Sequence, residues 1–78
     1  MKAYMVFSGY PSDGCLLVYA ETRNKAKYLA TGSLFDWEYW EINTRREPEY
    51  DKYHDAPLVI EDNNDLPDDA PDFFEMLI

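Results

Sequence analysis

The chain reads as a small α+β domain: a hairpin, a helical crossover and a third strand, with one main helix and a short C-terminal helix. The sheet is expected to be antiparallel or mixed, with three to four strands. Three observations predict this. Two apolar runs, residues 2–10 and 15–21, flank the turn sequence Pro11-Ser12-Asp13-Gly14. A helix-spaced segment follows a capping Thr22. A run of alternating character, residues 37–46, closes the unit.

The first run, Lys-Ala-Tyr-Met-Val-Phe-Ser-Gly-Tyr, is rich in side chains that suit a pleated surface. Tyr4, Val6 and Ser8 share one face; Ala3, Met5 and Phe7 share the other. Both faces are largely apolar, which places this strand centrally. In the turn, Pro11 presets φ and Gly14 supplies positive φ. Cys-Leu-Leu-Val-Tyr-Ala-Glu is the second strand of the hairpin. Thr22 caps a helix over Arg23 to Thr31, with Ala26, Leu29 and Ala30 on one face and Gly32 as its stop. The helix carries three cations in its first two turns, against the dipole, so tertiary packing must hold it.

Residues 37–46 alternate as a half-buried strand, with Trp40, Ile42 and Thr44 on one face and Tyr39, Glu41 and Asn43 on the other. Pro48 ends it, and Glu49 to His54 form a short helical turn. Leu58-Val59-Ile60 is a short fourth strand. Asn63 to Ala70 is a loop, and Asp69-Ala-Pro-Asp72 resembles a cap for a last helical turn over Phe73 to Ile78. Strand, strand, helix, strand implies a spatial order of 2-1-3, with the second and third strands parallel. The helix covers one face of that sheet. The tail or a second chain is expected on the other.

A length of 78 residues allows one domain. It divides into a sheet-and-helix core, residues 1–53, and an acidic C-terminal segment with an apolar end, residues 54–78. At 46% hydrophobic and 17% aromatic the composition is that of a folded chain. The single cysteine, Cys15, excludes an intramolecular disulfide and a multi-cysteine zinc site, and favours a reducing cytoplasm. No leader and no long apolar run are read, so neither secretion nor a membrane partner is expected.

Charge is distributed unevenly. The formal net charge is −9. Residues 1–52 hold all seven Lys and Arg against eight acids, a net of −1. Residues 53–78 hold eight acids and no Lys or Arg, a net of −8. Direct nucleic-acid binding by that segment is disfavoured by like-charge repulsion, and a basic protein surface is its natural counterpart.

Two stretches, residues 16–30 (Leu-Leu-Val-Tyr-Ala-Glu-Thr-Arg-Asn-Lys-Ala-Lys-Tyr-Leu-Ala) and 44–53 (Thr-Arg-Arg-Glu-Pro-Glu-Tyr-Asp-Lys-Tyr), resemble a group of small uncharacterised proteins of tailed bacteriophages and prophages. The resemblance covers about residues 2–53 and leaves the acidic segment outside. It implies a setting, the cytoplasm of a bacterial host, and carries no activity with it.

Constellations that could carry chemistry are sparse. Cys15 and His54 could form a nucleophile–base pair, but a strand-opening Cys is commonly a buried packing residue. An EF-hand loop starting at Asp62 fails at its fifth and sixth positions, Leu66 and Pro67. Sixteen acids guarantee some close carboxylate pair, so such a pair signals nothing. Ser8-Gly9-Tyr10-Pro11 lacks the glycine pattern of a nucleophile elbow. Arg45 and Arg46 with Trp37, Tyr39 and Trp40 could stack on nucleic acid, but consecutive strand arginines face opposite ways and have acids around them. Internal ion pairs and cation–π contacts are expected instead.

No catalytic residue, cofactor or metal is therefore expected. The expected activity is non-enzymatic protein binding: an acidic, nucleic-acid-mimicking antagonist of a basic host protein, such as a nuclease or a CRISPR defence complex. The alternative is a small structural or regulatory homodimer. The expected partner-binding residues are Glu61, Asp62, Asp65, Asp68 and Asp69, with Tyr50 and Tyr53 as surface aromatics beside them.

Overall fold

A computed structural model describes residues 1–10, 14–32, 37–61 and 65–70. Its architecture is α+β. A four-stranded sheet is formed by β1 (Lys2–Ser8), β2 (Cys15–Ala20), β3 (Ile42–Arg46) and β4 (Leu58–Ile60), in the order β3-β1-β2-β4. Every pairing is antiparallel. The second and third strands are parallel to one another with β1 between them, as the expected order 2-1-3 has it, and β4 adds a fourth strand beside β2.

The hairpin register runs from Lys2 opposite Ala20 to Phe7 opposite Cys15. Gly9 leaves β1 at φ +75, a left-handed conformation that favours glycine. Residues 11–13 of the expected turn lie outside the described residues. The two central strands are apolar on both sides because both sides are covered. Only Lys2 at the start of β1 is fully exposed, and all six residues of β2 are buried.

One face packs on α1 (Arg23–Ala30). Ala26 and Ala30 are buried there against Tyr4, Val6, Leu16, Val18, Ala20 and Ile42. Small residues on the helix face let its backbone approach the sheet closely. The Thr22 hydroxyl caps α1 by accepting from the Lys25 N–H at 3.2 Å. The other end closes on Thr31, whose hydroxyl donates to the Tyr28 carbonyl at 2.6 Å.

The other face is covered by the same chain. A 3-10 helix, Pro48–Tyr53, lies across it. A 3-10 helix repeats every three residues, so Tyr50 and Tyr53 project from one side. Their ring centroids are 6.2 Å apart. Tyr50 joins Ala3, Met5, Leu17, Tyr19, Ile60 and Leu66 in the core beneath, and Tyr53 and Ala70 pack at its margin. Leu66 and Ala70 show that the middle of the acidic segment folds back onto this face. The expected last helical turn, Phe73 to Ile78, lies outside the described residues.

The third strand is shorter than expected. It begins at Ile42, and Tyr39–Glu41 is a 3-10 turn. The Glu38 N–H donates to the Glu41 carboxylate at 3.1 Å, and the Glu41 N–H to the Glu38 carbonyl at 2.9 Å. These local bonds compete with an extended ladder and win. Trp40 consequently leaves the face of Ile42 and Thr44 and stands 78% exposed.

Candidate functional site

Two surfaces have the composition of a binding site. The first is the acidic segment. Asp55, Glu61, Asp65, Asp68 and Asp69 are exposed, and Asp62 lies outside the described residues. Among the described residues, none of these five carboxylates forms an ion pair.

Five of the seven basic side chains are engaged elsewhere. Lys25 bridges Glu21 at 2.9 Å. Arg45 pairs with Glu47 at 2.8 Å. Arg46 forms a bidentate pair with Asp51, at 2.7 Å and 2.5 Å, and also donates to the Ala3 carbonyl. Lys27 and Lys52 sit over the rings of Tyr39 and Tyr53. Among the described residues, the exposed carboxylates of Asp55, Glu61, Asp65, Asp68 and Asp69 therefore keep their charge outside any ion pair.

Two expected members do not belong to this surface in the way the sequence suggested. Tyr50 is 2% exposed, and its carbonyl accepts the Tyr19 hydroxyl at 2.7 Å. Tyr53 is half-buried. The 3-10 period turns both toward the sheet, which makes Tyr50 a core residue rather than a surface aromatic.

The second surface is an open groove of about 660 Å³ lined by Tyr28, Thr31, Trp37, Glu38, Tyr39 and Trp40. It forms where the end of α1 meets the 3-10 turn ahead of β3. It gathers the aromatic run 37–40, which the sequence reading placed in a strand. The signal that could have found it is the pair Glu38 and Glu41, spaced to close a turn. Arg45 and Arg46 do not line the groove. They make the internal contacts expected of them: Arg45 pairs with Glu47, and Arg46 pairs with Asp51 and stacks over Tyr4 at 5.4 Å.

Cys15 and His54 are not brought together. The His54 ring packs edge-on against Tyr19, with centroids 4.9 Å apart. Tyr19 lies four residues along β2 from Cys15, about 13 Å of strand. Burial pushes the Cys15 thiol up to about 11, with Arg45 opposing more weakly, so the thiolate is scarce at neutral pH. Among the described residues no three of His, Cys, Asp and Glu converge as a metal site would require, and no helix is long and apolar enough to cross a membrane.

Comparison with protein-family models, with curated proteins and with solved structures finds no match for this chain.

Proposed function

We propose that this is a non-enzymatic protein-binding module of phage type, acting in the cytoplasm of a bacterial host. Its acidic segment engages a basic protein surface. The sharpest form of the proposal is antagonism of a nucleic-acid-binding host protein, a nuclease or a CRISPR defence complex, by imitation of backbone charge.

One observation carries it. Among the described residues the exposed carboxylates of Asp55, Glu61, Asp65, Asp68 and Asp69 have no ion-pair partner, while five of the protein's seven cations are engaged internally. Leu66, buried between Asp65 and Asp68, holds that stretch against the body of the protein. A fixed charge display loses less entropy on binding than a free arm would.

The experiment is a capture from host lysate, with wild-type protein and with D65N/D68N/D69N as bait. The wild type is expected to retain nucleic-acid-binding proteins that added DNA displaces. The triple variant is expected to lose them, and salt above about 0.3 M to release them. A captured set indifferent to both the substitutions and the DNA overturns the reading. The alternative, a small homodimer, has less support. The sheet faces are covered by the chain's own α1 and 3-10 helix, and the edge strand β4 is only three residues long.

A further inference from the structure

We propose that the groove between α1 and the 3-10 turn is a receptor for an arginine side chain of a partner protein. It is a second recognition site, separate from the acidic segment. The choice of a protein-borne arginine rests on the proposed basic partner; the cation chemistry of the groove stands on its own geometry.

Four aromatic residues line it. Tyr28 is 73% exposed and Trp40 78% exposed. Single exposed aromatics are ordinary on protein surfaces. Here two tryptophans and two tyrosines line one groove with the carboxylate of Glu38, and Glu41 stands one residue beyond it. The face of an aromatic ring attracts cations, tryptophan most strongly, and a nearby carboxylate adds to the attraction. Lys27 already shows this on the protein itself, with its ammonium 4.7 Å from the centre of the Tyr39 ring. The most exposed aromatic walls are those of Tyr28 and Trp40.

Shape selects among cations. A trimethylammonium group is best held by an enclosed box of rings. This groove is open to one side, which suits a flat guanidinium lying against an indole with its edge turned to a carboxylate. The guanidinium is also the more weakly hydrated cation, so it loses less water on entering. The net charge of −9 draws any such group toward the protein.

Both tryptophans of the chain line this groove, so intrinsic fluorescence reports on it directly. The test titrates the full chain with a blocked Gly-Arg-Gly peptide, its citrulline counterpart and tetramethylammonium. Amide NMR serves as a second readout. The arginine peptide is expected to saturate with a dissociation constant on the order of millimolar. The citrulline peptide, which keeps the shape and loses the charge, is expected to bind at least about fivefold more weakly. W40L, read by Trp37 and by NMR, and E38Q are each expected to weaken arginine binding by about threefold or more.

Amide shifts of β1 and β2 unchanged in W40L separate loss of the site from loss of the fold; E38Q changes one exposed charge and serves where W40L does not fold. Equal binding of the citrulline peptide, tighter binding of tetramethylammonium, or arginine binding untouched by both substitutions overturns the proposal. D65N/D68N/D69N is expected to bind the arginine peptide as the wild type does. A groove that binds no arginine, in a protein that still captures basic partners through the acidic segment, removes this inference and leaves the proposed function standing.

Discussion

His54 carries the one buried side-chain nitrogen without a hydrogen-bond partner among the described residues, Nε2. Its ring packs edge-on with that of Tyr19. An unmatched buried polar atom costs free energy that an apolar replacement of similar shape recovers. His54→Phe keeps the ring and deletes the nitrogen. It is expected to leave stability unchanged or to raise it by up to about 1 kcal/mol, read from the urea midpoint. A loss of more than about 1 kcal/mol would show that the imidazole makes an interaction that a phenyl ring does not replace. Tyr19 behaves differently, because its hydroxyl is matched. Burial, with Asp51 and two tyrosines adding to it, pushes this phenol up to about 12. At the level of single residues the sequence was readable where burial follows from strand pattern, as at Cys15. It was not readable at Tyr50, whose burial follows from the phase of a six-residue 3-10 helix.

That helix depends on Asp51. Its carboxylate accepts the Ala3 N–H at 2.8 Å and both guanidinium nitrogens of Arg46, so it ties the helix to β1 and β3 together. The hydrogen bonds from Arg46, then that from the Ala3 N–H, hold the Asp51 carboxyl below its ordinary 3.8. A depressed carboxylate contributes stability that is present above its unfolded value and is lost as pH falls through its folded one. Stability is therefore expected to fall as pH drops below about 4. Asp51→Ala is expected to cost about 1 to 2 kcal/mol at pH 7 and to flatten this acid limb, checked by urea titrations between about pH 7 and pH 3. An acid limb as steep in the variant as in the wild type would assign the loss to other groups. The Thr22 cap, the helix face Ala26–Ala30 and the phase of β1 were legible from residue type and period alone. The start of β3 was not. Two glutamates three residues apart closed a turn inside a segment whose alternation fitted a strand equally well.

At the scale of the whole molecule, Asp55, Glu61, Asp65, Asp68 and Asp69 form no ion pair among the described residues, and their like charges repel one another. Self-repulsion of this kind opposes the compact state and is screened by salt. Raising the salt from about 0.01 M to about 0.3 M is expected to raise the melting temperature. D65N/D68N/D69N is expected to reduce that dependence. An unchanged melting temperature across that range in the wild type would mean that the segment's charges are far enough apart not to interact. The short β4 and the polar, arginine-bearing β3 occupy the two edges of the sheet. Both features discourage edge-to-edge pairing.

By itself the sequence determined the α+β class, the central place of β1, the hairpin, the capped helix and the concentration of charge in the C-terminal third. These follow from period, turn chemistry and composition, which are properties of neighbouring residues. Only the tertiary structure decided what lies on the second face of the sheet, that Tyr50 is core, that β4 pairs with β2, and that Tyr28 meets Trp37 and Trp40 in one groove. Each of these joins residues far apart in the chain or depends on the phase of a short helix. The physical reason is the same in every case: local pattern fixes which way a side chain points within its element, and packing fixes what it points at.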